Sequence, residues 1–427
     1  MVLLINDGSD LQGIEKTQDI KYMRILKRRL QILHAWPSKA IGEEESKYCL
    51  YGRIYVFLVF ALSLPPGFLY LKNNLFVIDF MELAHTYVTV SMSTMATFRV
   101  MLVFLKIYKN LIADFVNCIH LFNHKDHSEY AMSTHLLVHK ISHFFTVYID
   151  ILLVVGLLLF NFTPLWKNIY SDAFTNYKTG NSSLELSIYY QLPFDYKHNI
   201  YWYLVMFIFD WYMSILCSFC FCYIDLLISL MVFHIWGHMR IIINDMVTFR
   251  RPSNKVTIDA NIQDEFFSDE EGRLVARDIG NIVQQHNKIA EFSARLISTF
   301  GPILLIYYLF HFVSGCVLLL VCFQKNAEAI MLYGPLTFVV FQQIIQISIV
   351  FELLATVSDQ YSNAVYSLPW ECMKVGDRKK VFIMLINSQR PLPVKAMNIV
   401  NVGVQTMAAI LKTSVSYFIM LNTFAEK

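Results

Sequence analysis

The sequence predicts an all-α, polytopic membrane protein, and three observations carry that prediction. Of 427 residues, 56% are hydrophobic and only 16% are charged, where soluble domains hold about 25% charged residues. Seven apolar runs come near the roughly 20 residues that a helix needs to cross a hydrocarbon core. Lysine and arginine are shared unequally between the alternate loops that join those runs, 25 on one side and 6 on the other. One membrane domain accounts for this length. The opening residues do not read as a secretory signal, because the apolar run 2–5 is short and Asp7 follows it.

The elements follow in order. Residues 17–36 read as a basic amphipathic helix. Ile20, Met23, Leu26, Leu30 and Leu33 make its apolar stripe, and Lys21, Arg24, Lys27, Arg28 and Arg29 fill the rest. Thr17 or Asp19 is expected to cap it and Pro37 to stop it. Such a helix lies against an anionic leaflet or packs under a bundle; calmodulin binding is the alternative that its charge pattern admits. The seven membrane helices are expected near 51–71, 77–103, 141–162, 201–230, 296–322, 329–356 and 401–424. Pro65, Pro66 and Gly67 are expected to kink or end the first. The second is the most polar, with Asp79, Glu82, His85 and Arg99. Stretches 104–140 and 231–295 read as loops, the latter acidic at first and helical from about Arg273.

Charge sets the orientation. The basic side belongs in the cytoplasm, which puts the N-terminus inside and, after seven spans, the C-terminus outside. The two glycosylation acceptors, Asn161 and Asn181, flank or lie in stretch 163–200, which falls on the outer side. Asn181 is the better placed, since Asn161 is close to the bilayer. An inside N-terminus argues against an ordinary G-protein-coupled receptor, whose arginine and NPxxY motifs are also missing.

The last apolar run carries the clearest functional signal. Alternating steps of four and three residues place Gln405, Ala409, Lys412, Ser416, Met420 and Thr423 on one face. Polar groups inside a membrane face a bundle interior or water, so this helix is read as lining a pore. Lys412 reads as a pore-facing charge or, preferably, as the partner of a buried acid such as Glu352.

Two clusters resemble metal sites without the rest of the chemistry. Six of the thirteen histidines lie between 118 and 143, namely His120, His124, His127, His135, His139 and His143. The last three share a helix face. Metal binding or pH sensing would use them, but a polar face beneath the membrane explains them more simply; His234 and His238 are read the same way. Cys217, Cys220 and Cys222 sit in an apolar helix and are read as packing residues. Nothing calls for a cofactor, a metal or a nucleic-acid partner.

Residues 366–373 (Tyr-Ser-Leu-Pro-Trp-Glu-Cys-Met), Arg378-Lys379-Lys380, Gln389-Arg390-Pro391, the run 402–414 and Ser416-Tyr417-Phe418 together resemble the insect odorant receptor family, most closely its moth pheromone-receptor branch. The opening Asn6-Asp7-Gly8-Ser9-Asp10 and Lys21-Tyr22-Met23-Arg24 resemble that branch as well. The resemblance implies a ligand-gated, nonselective cation channel of four subunits in the plasma membrane of a sensory dendrite. It implies a co-receptor partner in a hetero-tetramer, with this chain as the ligand-tuning subunit. It divides the chain into a cytoplasmic segment 1–50, spans one to six with the ligand pocket over 51–356, a cytoplasmic helical anchor 357–400, and the pore helix with its outer tail 401–427. It implies a hydrophobic gate at Met420, where the family often has valine, with Thr423 a polar ion contact beyond it.

The ligand site is expected between spans, apolar and enclosed. Candidates are His85, Tyr87, Met92 and Met95 on the second span, and Ile149, Leu153 and Gly156 on the third. The fourth offers Phe209, Tyr212, Met213 and Leu216, and the sixth Phe338, Phe341 and Gln342. Each of these side chains would equally serve as core or lipid-facing packing. Such a pocket suits a small apolar volatile, since each buried CH₂ contributes about 0.8 kcal/mol, and His85 and Gln342 are placed to orient a polar group. A gustatory receptor and a secondary transporter are the competing readings. The first lacks the Leu368-Pro369-Trp370-Glu371 context, and the second needs internal repeats that are absent. No enzyme motif is present.

Overall fold

The computed structural model describes residues 11, 13–78, 80–177, 183–253, 255–259, 262–322, 327–389, 395–397 and 399–425, without the side chains of 176, 255–259, 262–265, 327–332 and 421–425. The expectations placed on 6–10, Asp79, Asn181, Arg390 and Pro391, and on the Thr423 side chain, lie outside the described residues.

The chain is almost wholly helical. A short basic helix α1 (Lys21–Ile32) is followed by α2 (Cys49–Asn74), α3 (Phe80–Leu102), α4 (Lys106–Asp114), α5 (Glu129–Tyr170), α6 (Ile200–Val247), α7 (Asp269–Cys322), α8 (Ala327–Tyr366), α9 (Val375–Ser388) and α10 (Val404–Ala425). Two small antiparallel hairpins join them, Lys255–Asp259 with Ile262–Glu265 and Lys395–Ala396 with Val400–Asn401.

Five described helices are long and apolar enough to cross a membrane, and a sixth span arises if α3 and the segment after it, bent by 73°, count as one. The final helix is 22 residues long, which matches the thickness of a hydrocarbon core. The expected spans 141–162, 201–230, 296–322 and 329–356 are all parts of longer helices. Stretch 104–140 is a helix, two short helical turns and the start of α5 rather than a loop. The expected helical onset near Arg273 falls at Asp269.

Backbone satisfaction explains why α2 does not stop at its prolines. In lipid an unpaired carbonyl has no water to turn to, so a helix that keeps its remaining bonds is favoured. The helix runs on through Pro65 and Pro66, and the Pro66 carbonyl accepts the Gln191 N–H at 3.0 Å.

α6 is the hub. It is apolar all round, as a fully enclosed helix is expected to be, and packs against α1, α3, α5, α7 and α8. α5 is equally apolar but turns most of its span outward. The polar character of α3 is turned inward. Arg99 reaches Asp225 of α6 at 2.9 Å with both side chains almost fully enclosed. Its guanidinium also donates to the Phe221 carbonyl at 3.0 Å and lies over the Phe221 ring at 4.4 Å. A charge inside a membrane bundle persists when paired in this way.

At the end of the bundle where α5 begins, α1 lies across α5 and α6. Every residue of its expected stripe is buried, and Lys21, Arg24 and Arg28 face out. Neither Thr17 nor Asp19 caps it through its side chain; Ile20 is the cap residue, and Arg24 instead donates to the Asp19 carbonyl at 2.9 Å. The helix ends well before Pro37, where His34 takes a left-handed turn with φ 52°.

Candidate ligand cavity and terminal helix

At the opposite end, α3, α5, α6 and α8 line a partly open cavity of about 120 Å³. Its walls come from Thr89, Met92 and Ser93 of α3, Leu153, Gly156 and Phe160 of α5, Met213, Cys217 and Phe221 of α6, and Tyr333, Leu336 and Gln343 of α8. Its roof comes from the connection between α5 and α6. Leu184, Leu186, Ile188, Tyr189 and Tyr190 are all buried, so this segment dives into the bundle rather than running over it.

Polar groups fix the roof. The Asn168 side chain makes a two-way bond with the Glu185 backbone, donating to its carbonyl at 2.9 Å and accepting its N–H at 2.8 Å. Asp210 accepts the Ile188 N–H at 3.1 Å. His85 donates from Nε2 to the Ser187 carbonyl at 2.8 Å. Lys167 pairs with Glu185 at 3.1 Å, and Lys197 with Glu82 at 2.8 Å. Burial pushes the Glu185 carboxyl upward, but Lys167 and the Tyr189 hydroxyl outweigh it and hold the group below the usual carboxylate range.

Five of the fourteen residues singled out from the sequence line this cavity: His85, Met92, Leu153, Gly156 and Met213. The other nine lie elsewhere. Met95, Ile149 and Leu216 are buried in the adjoining core. Phe209 packs edge-on to Tyr190 at 5.9 Å, and Tyr212 donates to the Tyr55 hydroxyl at 2.9 Å. Tyr87 and Phe338 face outward. The ring of Phe341 lies close to Gly315 of α7. Gln342 donates to the Tyr148 hydroxyl at 2.8 Å and to Gln346 at 2.7 Å; its neighbour Gln343 is the glutamine at the cavity wall. Sequence reading missed the roof entirely. The signal was the run of apolar side chains at 184, 186, 188 and 190, whose period of two suits an extended buried strand rather than a solvated loop.

The α10 helix stands apart from the cavity. The hairpin before it buries Ala396 against Gly301 of α7, where a Cβ would come within 3.4 Å of the Met397 nitrogen. Glu352 of α8 accepts the Val404 N–H at 3.0 Å, so a carboxylate meets the positive end of the helix. A Cβ at Gly403 would lie 2.8 Å from that carboxylate, so a larger residue there would displace the Glu352 side chain from the cap. The expected pairing of Lys412 with Glu352 is therefore wrong. Lys412 lies eight residues along the helix from the capped nitrogen, about 12 Å away at 1.5 Å per residue. Met407, Ile410 and Ser414 face α7 and α8, while Gln405, Ala409, Lys412, Ser416 and Met420 are all exposed on the open side.

Of the histidine-rich stretch, His120, His135, His139 and His143 are buried, while His124 and His127 are exposed. The rings of His120 and His234 pack 3.9 Å apart between centres, with their planes tilted by 38°. Each accepts a backbone N–H at Nδ1, from Phe122 at 3.2 Å and Leu121 at 3.1 Å, and each meets the Tyr22 hydroxyl with Nε2, at 2.7 and 3.2 Å. Among the described residues no group of three or more His, Cys, Asp or Glu side chains is arranged to hold a metal. Asn161 is corrected as a glycosylation site. It is 1% exposed, its amide donates to the Leu157 carbonyl at 3.0 Å, and Ser214 donates to it at 3.2 Å, so no glycan has room there.

A family model described as 7tm Odorant receptor matches residues 79–415. This chain belongs to that odorant receptor family. Odorant receptor 10a of Drosophila melanogaster is 27% identical over 157 residues, 35% of this chain and 37% of that protein. Odorant receptor 13a of the same species is 27% identical over 159 residues, 33% of this chain and 37% of that protein. Each match thus spans little more than a third of the relative's length. The olfactory receptor OR5 from Machilis hrabei, solved in complex with eugenol, superposes with a TM-score of 0.75 over 95% of this chain and 99% of its own at 15% identity. The same receptor solved without that compound gives 0.71 over 94% and 97%, at 14% identity. At such identity the likeness is one of fold.

Proposed function

We propose that this chain is the ligand-tuning subunit of a ligand-gated, nonselective cation channel in the plasma membrane, and that it binds a small apolar volatile in the roofed cavity. The carrying observation is the pairing of a roofed, largely apolar cavity with a terminal helix whose polar stripe is left open by the single chain. A polar stripe in a membrane is stable against water or a partner, not against lipid. In this reading Gln405, Ala409, Lys412 and Ser416 line the path, and Met420 is this subunit's part of a hydrophobic gate. A co-receptor supplies the remaining subunits, and the basic end of the bundle lies in the cytoplasm.

The cavity size narrows the ligand. A volume near 120 Å³ compares with the roughly 150 Å³ of an engineered apolar cavity that takes benzene. A compact volatile fits with little rearrangement, whereas a long pheromone chain requires the walls to part.

Currents recorded from cells expressing the chain with and without a co-receptor, against a panel of volatiles, test the reading. Ligand-evoked cation currents that need both chains are expected. Cysteines placed at 405, 409, 412 and 416 are expected to react with aqueous thiol reagents during stimulation. Inert cysteines in a responding channel would remove α10 from the pore.

A further inference from the structure

We propose that His85 makes this cavity selective for ligands that carry a hydroxyl, an alcohol or phenol, over aldehydes, esters and hydrocarbons of the same shape. This rests on the cavity reading above and specifies the chemistry of its ligand.

The ring's own bonding fixes its donor and acceptor. His85 lines the cavity. One nitrogen, Nε2, faces the Ser187 carbonyl at 2.8 Å. A carbonyl only accepts, so that nitrogen carries the proton, and in a neutral imidazole the other is then a bare acceptor. The other, Nδ1, is buried and has no hydrogen-bond partner. The carboxylates near the roof do not call for a charged ring, because Glu82 is matched by Lys197 and Glu185 by Lys167. The stacked ring of Phe160 at 5.9 Å and the tilted ring of Tyr333 at 5.6 Å hold the imidazole in place.

A bare buried acceptor discriminates sharply. A ligand hydroxyl satisfies it. An aldehyde or ester oxygen brings a second acceptor against it, and a hydrocarbon leaves it unpaired. Gln343, also on the wall with an unpartnered Oε1, does not discriminate in this way, since its amide turns over to offer either a donor or an acceptor. The ligand hydroxyl also polarises the imidazole, which strengthens the Nε2 bond to Ser187 and ties binding to the roof.

The test is equilibrium binding to the purified full-length chain in lipid nanodiscs, with benzyl alcohol, benzaldehyde and ethylbenzene, which have the same number of heavy atoms. The alcohol is expected to bind about tenfold tighter than the other two, the worth of one buried hydrogen bond and the mismatch it avoids. In His85→Phe that preference is expected to vanish while ethylbenzene binding persists. In His85→Gln, which keeps a donor for Ser187 and an acceptor for the ligand, it is expected to return. Equal affinities in the wild type, or a preference that survives His85→Phe, overturn the proposal and leave the cavity reading intact. Gly156→Phe, which fills the cavity, is expected to abolish binding of all three; binding that survives it, or no binding to the wild type, overturns the cavity reading itself.

Discussion

The two ends of the helix bundle bury the same residue types and put them to different use. At the α1 end, His120 and His234 pack against each other, have both nitrogens engaged and share the Tyr22 hydroxyl. At the roofed end, His85 has one nitrogen engaged and one bare beside a cavity. A satisfied buried network holds elements together and specifies one arrangement. A half-satisfied one beside open volume is where a ligand gains most. The difference teaches that counting histidines does not locate function; their unspent hydrogen bonds do.

The comparison is broken or sharpened by four measurements. The largest effect is expected at the roof. Asn168→Ala leaves the N–H and carbonyl of Glu185 without their partner, at about 1–3 kcal/mol for each group. Amide hydrogen exchange over residues 184–190 is expected to speed up at least tenfold, while exchange around α1 stays unchanged. Unaltered exchange in the roof would show that the Asn168 bonds do not hold it.

The second effect is expected at the α1 end. Tyr22→Phe removes the hydroxyl that both histidines share and is expected to cost about 1–3 kcal/mol, read as a lower Tm without any change in ligand affinity. pH acts in the same place. Burial, with the other histidines adding to it, holds His120 well below the ordinary histidine value. The folded state therefore binds fewer protons than the unfolded state. Its stabilisation is complete above the unfolded value of about 6.5 and is lost as pH falls below it. Tm is expected to drop between pH 8 and pH 5, and a flat profile would contradict a neutral cluster. The smallest effect is expected on α10. Lys412→Gln removes a positive charge from the open stripe and is expected to raise cation conductance modestly; unchanged conductance would put Lys412 outside the ion path.

Much of the architecture was legible because membrane helices announce themselves by length and apolarity. The α1 stripe was read correctly from its spacing alone, and the polar stripe of α10 was read as one face and lies on one face. Of the two outcomes expected at Pro65 and Pro66, a kink or an end, the end does not occur, because lipid penalises a broken helix. The site was half legible. His85, Met92, Leu153, Gly156 and Met213 stood out by type and position along their helices, but a helix apolar on every side does not reveal which side meets a neighbour. Tyr87 and Phe338, as apolar as their neighbours, turned out to face outward.

By itself the sequence determined that this is a multi-helix membrane protein with a basic end, an amphipathic helix near its start and a polar terminal stripe, since composition and period are local properties. Only the tertiary structure decided that the connection between α5 and α6 is a roof, that Glu352 caps α10 instead of pairing with Lys412, and that His85 keeps one bare nitrogen. Each of those depends on which separate segments meet, and hydrogen-bond partners 17 to 102 residues apart leave no trace in a local pattern.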